Sequence, residues 1–326
     1  MGFPKPIAVI SRCIEFDPVR YDGQIIRSPF VKQLIPHIEY KLVCPEVEIG
    51  LGVPREPLRL VKRREEIRLI QPSTGRDLTS KMKSFANHFL DSVGEVDGFI
   101  MKSRSPSSGL RDAKIYAAVS DAPTIGRGTG IFGQAVLERF SHLAVEDEGR
   151  LRNGRIREHF LRKLFTIARF RAARKSLDIN ALIRFHTENK LLLKAYNQKE
   201  LRIMGKIIAN QERKPLQEVI NEYAEHLYSA LKSGPRCTSN INVLMNSMGY
   251  FSDKLSKNEK KLFLDSLDRY REGKLPLISP VSVMKSWIIR FDEAYLNRQT
   301  FFNPYPEELM TIEALIEACG ERDYWA

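Results

Sequence analysis

The spacing of apolar residues changes once along the chain, and that change constrains the fold more than any other feature. Before Glu146, short strand-length apolar runs alternate with amphipathic stretches; beyond Gly149, helical spacing continues to the C-terminus. The strand runs are Pro6–Ile10, Tyr40–Cys44 and Val96–Lys102, and Lys114-Ile115-Tyr116 extends the series. Between them, Thr79–Val93 carries Met82, Phe85, Phe89 and Leu90 at helical spacing, with Thr79 placed as a cap. Strands that alternate with helices favour a parallel sheet. The expected architecture is an α/β domain of Rossmann-like type over 1–148 followed by an all-α domain over 149–326. The acidic break Glu146-Asp147-Glu148-Gly149 marks the junction. In the second domain Asp178 caps a helix through Leu193. Further helices are expected over Glu200–Ala209, Leu216–Leu231, Ile241–Met248, Asn258–Arg271 and Val281–Asn297, punctuated by Pro215, Gly234-Pro235, Pro276 and Pro280.

A length of 326 residues suits two domains, and 43% hydrophobic with 28% charged residues excludes a disordered or fibrous chain. No apolar run approaches the roughly 20 residues of a membrane span. The N-terminal Met1-Gly2-Phe3-Pro4-Lys5-Pro6 lacks a signal-peptide core, so a cytoplasmic location is expected. The four cysteines, Cys13, Cys44, Cys237 and Cys319, include no CxxC pair. In a reduced compartment a disulfide framework is not expected, and each reads by default as a buried thiol. The net charge of +12 is uneven: residues 1–150 hold 22 Lys/Arg against 19 Asp/Glu, and residues 151–326 hold 30 against 21. That imbalance points to a polyanionic partner, nucleic acid before membrane.

Between Arg150 and Lys175 ten basic residues face one acid, Glu158. A solvated helix face usually mixes signs, so Arg162, Lys163, Arg169 and Lys175 are read as phosphate contacts for RNA. Gly128-Thr129-Gly130-Ile131-Phe132-Gly133 fits GxGxxG, but it lies too late in the domain for a dinucleotide fingerprint. It reads as a turn into a helix near Gln134, with N–H groups near an anion. His142, His159 and His186 have no metal-site spacing and read as structural.

The loops of the first half are more specific. Ile10-Ser11-Arg12-Cys13, Arg20-Tyr21-Asp22-Gly23, the segment from Val43-Cys44-Pro45-Glu46 to Val53-Pro54-Arg55, Thr74-Gly75-Arg76-Asp77 and Lys102-Ser103-Arg104-Ser105-Pro106-Ser107-Ser108-Gly109 occur in this order. Together they resemble the thiouracil desulfidase (TudS) family. Leu182-Ile183-Arg184-Phe185-His186, Gly249-Tyr250-Phe251, Pro276-Leu277-Ile278-Ser279-Pro280 and Asn303-Pro304-Tyr305-Pro306 resemble the YbgA-type helical domain. The fusion is similar to RudS-type tRNA 4-thiouridine desulfidases.

The resemblance implies a 4Fe–4S cluster held by three cysteines, with one iron open. Cys13 and Cys44 match two of them, and Ser108 stands at the third. A serine oxygen is a harder donor than thiolate and holds soft iron less well. The chain is therefore either an altered form of a three-cysteine protein or a member whose cluster is weakened or absent. The implied reaction is non-redox: the open iron takes the thiocarbonyl sulfur, water attacks the ring carbon, and hydrosulfide leaves. Glu46 would move protons and Ser105 would orient substrate or water, with Arg55 and Arg104 as weaker candidates for substrate contact. Without the resemblance, Glu46 reads as a helix N-terminal carboxylate and Ser105 as a loop cap. The alternatives are a desulfidase of free thiolated uracils and a cluster-less RNA-binding protein.

Overall fold

The computed structural model describes residues 2–120 and 122–310, which divide into two compact units. One is Lys5–Arg152; the other joins residues 2–4 to the described residues from Asn153 onward. This division falls four residues beyond the expected junction.

The first unit is α/β. In chain order it contains β1 (Ile7–Ser11), α1 (Pro29–Leu34), β2 (Glu39–Val43), α2 (Pro45–Glu48), β3 (Arg59–Arg63), β4 (Glu66–Gln71), β5 (Arg76–Asp77), α3 (Thr79–Ser92), β6 (Gly98–Met101), β7 (Ala113–Tyr116), β8 (Thr124–Gly128), α4 (Ile131–Phe140) and β9 (Ala144–Asp147). Four strands form a parallel sheet in the order β2-β1-β6-β9. The inner strands β1 and β6 are buried almost throughout, which is why they read as unbroken apolar runs. α3 and α4 pack together through Phe85 and Phe89 against Phe132, with ring centres 5.9 and 5.8 Å apart.

Two expectations are corrected here. Lys114-Ile115-Tyr116 does not extend the parallel sheet: as β7 it belongs to a second, mixed sheet ordered β5-β4-β3-β7-β8. Its β3–β4 hairpin turns at Arg64-Glu65, with Arg64 at φ +54. The acidic tract at the junction is buried. Glu146 and Asp147 end the buried strand β9, and Glu148 follows it; all three are at most 5% exposed. Arg150 pairs with Glu146, Lys102 pairs with Glu148, and Asp147 accepts from the Arg150 N–H. Burial pushes the Asp147 carboxyl up to about 6, although the Arg150 N–H opposes the shift. Thr79 does not cap α3; its hydroxyl oxygen accepts from the Leu69 N–H.

The second unit is helical: α5 (Gly154–Lys175), α6 (Ile179–Glu188), α7 (Lys190–Tyr196), α8 (Gln198–Ala209), α9 (Leu216–Ala230), α10 (Cys237–Met248), α11 (Lys257–Arg271), α12 (Ile278–Arg290) and α13 (Ala294–Asn297). Asp178 caps α6 by accepting from the Asn180 N–H. The helix expected to reach Leu193 breaks at Asn189, and the one expected over Val281–Asn297 is two helices. Asn189 is fully buried; its amide donates to the Phe185 carbonyl at 2.8 Å and accepts from the Thr300 hydroxyl at 2.7 Å. Asn189→Ala leaves the Thr300 hydroxyl without its acceptor, while the Phe185 carbonyl keeps the backbone N–H of residue 189 at 3.0 Å; it is expected to cost about 1–3 kcal/mol, read as a lower urea midpoint at unchanged slope. Cys237, in the first turn of α10, is disulfide-bonded rather than free, a correction to the expectation of isolated thiols. Cys319 lies outside the described residues. Among the described residues no helix is long and apolar enough to cross a membrane.

Candidate active site

The site grows from strand ends. β1, β2 and β6 are parallel neighbours, so their carboxyl ends lie along one edge, where open α/β sheets bind ligands. Cys13 follows β1, Cys44 links β2 to α2, and the 102–109 loop follows β6. The Arg12 N–H donates to the Val43 carbonyl at 2.8 Å, and the Lys102 N–H to Ser11 Oγ at 3.0 Å, so the three exits are tied together.

Glu46 sits where these loops meet. Its side chain is 13% exposed. Ser107 Oγ donates to Oε1 in a short hydrogen bond, and Ser105 Oγ lies 3.4 Å from the same oxygen. The Cys44 thiol stands 3.7 Å from Oε2. Arg55, buried, brings Nη2 to 4.0 Å from Oε2 and 3.9 Å from Cys44 Sγ, while Nη1 donates to the Val19 carbonyl at 2.9 Å. Arg55 is thus committed to the site's own walls. Arg104 is different: its side chain is 78% exposed and reaches Asp112.

Burial pushes the Cys13 thiol up to about 12 and the Cys44 thiol up to about 11, with the Glu46 carboxylate adding to both shifts. Both therefore carry protons until a cation replaces them. Lys102 opposes the shift at Cys13. Its ammonium is paired with Glu148, which also accepts from the Ser103 N–H at 2.7 Å and the Ser103 hydroxyl at 2.8 Å. The sequence marked Lys102 and Ser107 only as members of a loop motif and Glu148 only as part of the acidic junction; their roles depend on contacts between residues 45 to 61 positions apart.

The loop with Ser108 is moulded from behind. Ser105 Oγ accepts from the N–H groups of Ser107 and Ser108 at 3.2 and 3.0 Å, so Ser105 is a loop cap as well as a neighbour of Glu46. The GxGxxG segment supports the same loop. The Gly130 N–H donates to the Gly109 carbonyl at 2.8 Å and the Gly133 N–H to the Ser107 carbonyl at 2.9 Å. A Cβ on Gly130 would stand 2.4 Å from Ser107 O, and one on Gly133 would stand 2.4 Å from Gly109 O. These N–H groups are spent on the protein's own backbone, not on an anion.

Cys13, Cys44, Glu46, Ser105 and the loop carrying Ser108 thus belong to one edge. Among the described residues no group of three or more His, Cys, Asp or Glu side chains is placed to hold a metal ion. The donor set is two buried thiols and, at 2% exposure, a serine. It fits an iron–sulfur cluster at two anchors and is mismatched in softness at the third.

The basic segment does not form the surface expected of it. α5 is buried along most of its length, with Arg162 and Lys163 only 5% and 6% exposed. Arg162 pairs with Glu158, and Arg169 donates to the carbonyls of Pro304 and Asn303 at 2.8 and 3.3 Å. Only Lys175 of the four is exposed, at the helix end. Three of the four cannot line a phosphate-contacting face, because the apolar residues between them place the helix inside its unit. His159 and His186 are structural: each ring bonds a tyrosine hydroxyl, Tyr196 at 3.0 Å and Tyr223 at 3.1 Å, and burial depresses both well below the usual imidazole range.

Residues 8–148 match the family model described as 2-thiouracil desulfurase, and residues 190–306 match the one described as a protein of unknown function, DUF1722. The chain is 28% identical over 131 residues to the uncharacterized protein YbgA of Escherichia coli, covering 40% of this chain and 78% of YbgA. Among solved structures it is similar to the [4Fe-4S]-dependent thiouracil desulfidase TudS, at 28% identity, 45% of this chain, 93% of TudS and a TM-score of 0.37.

Proposed function

Because residues 8–148 belong to the thiouracil desulfidase family and the chain continues into a YbgA-type domain, we propose that it removes sulfur from a thiolated uracil ring, with 4-thiouridine in tRNA as the substrate. Water adds at the carbon that bears sulfur, a C–O bond replaces the C–S bond, and sulfur departs as hydrosulfide with no change in oxidation state. The placement of Glu46 carries this reading. A carboxylate fixed by Ser105 and Ser107 on one oxygen, with Oε2 beside Cys44, is set to take a proton from the attacking water and return it to the ring. Arg55 holds the opposite wall. Cys13 and Cys44 would hold two corners of a 4Fe–4S cluster, which would supply Lewis-acidic iron for the sulfur; Ser108 stands where a third thiolate would complete the set. The excess of base over acid beyond residue 150 supports a tRNA partner. The burial of Arg162 and Lys163, and the engagement of Arg169 by the Pro304 and Asn303 carbonyls, favour a second reading, in which the substrate is a free thiolated base.

Ser108→Cys tests the proposal. Prepared without oxygen, the variant is expected to be brown, to hold iron and sulfide in equal amounts, and to desulfidate thiolated tRNA; the parent chain holds little of either. If tRNA is the substrate, kcat/KM for thiolated tRNA exceeds that for free thiouracil, and the reverse order selects the second reading. A Cys variant that binds tRNA but gains no iron would leave only a cluster-less RNA-binding protein.

A further inference from the structure

The cations that α8 shows to solvent are in line and unpaired. Lys199, Arg202 and Lys206 stand at i, i+3 and i+7, so they share one face of the helix. All three are exposed, while Leu201, Met204 and Ile207 turn the opposite face into the unit. Among the described residues no carboxylate pairs with any of the three, those of Glu218 and Glu225 on the neighbouring α9 included. Other acids close by in sequence are engaged elsewhere. Glu200, half-buried, holds His226 Nδ1 at 2.6 Å, and Glu212 and Glu222 lie 3.3 and 3.1 Å from Lys214 Nζ. α7 adds Lys190 and Lys194, a turn apart. The Lys190 charge is felt at His186, which burial and that charge lower to about 4. His186 Nε2 in turn lies 3.8 Å from where a Cβ on Gly205 would stand, beside Lys206. The Lys190 charge therefore adds to the field at that end of α8.

An exposed helix face ordinarily mixes signs, because opposite charges at i, i+4 stabilise a helix and like charges destabilise it. Arg202 and Lys206 are such a like-charged pair. The three charges spread over about 10 Å of helix axis, too far for one small anion to bridge, so their complement is a chain of negative charges. A membrane-docking face would carry large apolar residues at its exposed edge; the exposed positions of α8 are Gln198, Lys199, Arg202, Lys206 and Ala209. We propose that this face of α8, with Lys190 adding to its field, docks the phosphate backbone of RNA, an inference that rests on the tRNA substrate proposed above. The buried cations of α5 have no part in it. Contacts of this kind hold and orient the nucleic acid without reading its bases, so recognition of the thiolated ring stays with the loops at the strand ends.

Binding of an unthiolated tRNA transcript to the full chain across a salt series tests this and needs no cluster. The parent chain is expected to bind more weakly as salt rises. The triple variant Lys199→Gln, Arg202→Gln, Lys206→Gln should flatten the slope of log affinity against log salt by roughly two to three units. Thiolated tRNA should lose affinity by the same factor. The three side chains are exposed, so the variant should keep a Tm near that of the parent. A second triple variant on α11, Lys257→Gln, Lys260→Gln, Lys261→Gln, removes the same charge from the same unit and should keep a slope near the parent's. An unchanged slope in the α8 variant, or equal flattening in the two, overturns the docking surface and leaves tRNA as the partner. A parent chain that binds no tRNA overturns the surface and the tRNA substrate together. Binding to phosphatidylserine vesicles in preference to tRNA, lost in the α8 variant alone, overturns the proposal in favour of a membrane.

Discussion

In a Ser108→Cys background, Glu46→Gln is expected to lower turnover by about 10²–10⁴-fold while leaving iron content unchanged. Glutamine keeps the shape of the side chain, and its amide oxygen can still accept from Ser107 and Ser105 as Oε1 does. What it loses is the capacity to hold and release a proton beside Cys44. The two measurements separate chemistry from assembly. Turnover that falls in step with iron would make the carboxylate part of the cluster's support. Unaltered turnover would remove Glu46 from the mechanism and leave the serine hydroxyls as the groups to examine.

Gly133→Ala is expected to be as damaging for a steric reason. Its Cβ would stand 2.4 Å from the Gly109 carbonyl oxygen and 2.9 Å from that of Ser108, and both atoms are backbone. Either α4 or the loop must move. Overpacking of this kind costs about 1–3 kcal/mol, and a misplacement near 1 Å at a reacting centre can cost about 10²-fold in rate. The Ser108→Cys chain carrying Gly133→Ala should therefore load less iron and unfold at a lower Tm. Gly126→Ala is the control: nothing lies within 4 Å of its added methyl, so stability should stay within about 0.5 kcal/mol. Equal losses in both variants would show that the glycine contacts are not what shapes the loop.

The residues show why some of this was legible in the sequence and some was not. β1 and β6 announced themselves because inner strands of a parallel sheet write unbroken apolar runs, whereas the edge strand β2, Glu39-Tyr40-Lys41-Leu42-Val43, showed only its apolar end. β3 and β4 did not, because Arg59-Leu60-Val61-Lys62-Arg63 and Glu66-Ile67-Arg68-Leu69-Ile70-Gln71 are so charged that their alternation resembles a surface segment. β9 was hidden by its acids: a buried Glu146 is intelligible only once Arg150 is known to pair with it. The basic run misled for the opposite reason. Counting charges between Arg150 and Lys175 says nothing about where they point, and Phe160, Leu164, Phe165 and Ala168 draw Arg162 and Lys163 inward with them. At the site, Cys13, Cys44, Glu46 and Ser105 were identified through ordered loop motifs. Ser107 and Arg55 acquired their roles only from contacts that no local pattern encodes.

The glycines of residues 128–133 act as a mould for residues 105–109, and a mould and its casting vary together. Lengthening or shortening the serine loop by one residue would carry its carbonyls away from the Gly130 and Gly133 N–H groups. A larger residue at either glycine would press on that loop's backbone. Two stretches of sequence some twenty residues apart therefore form one heritable unit. Related chains should change both or neither, and grafting the serine loop onto another scaffold should fail unless its glycines travel with it.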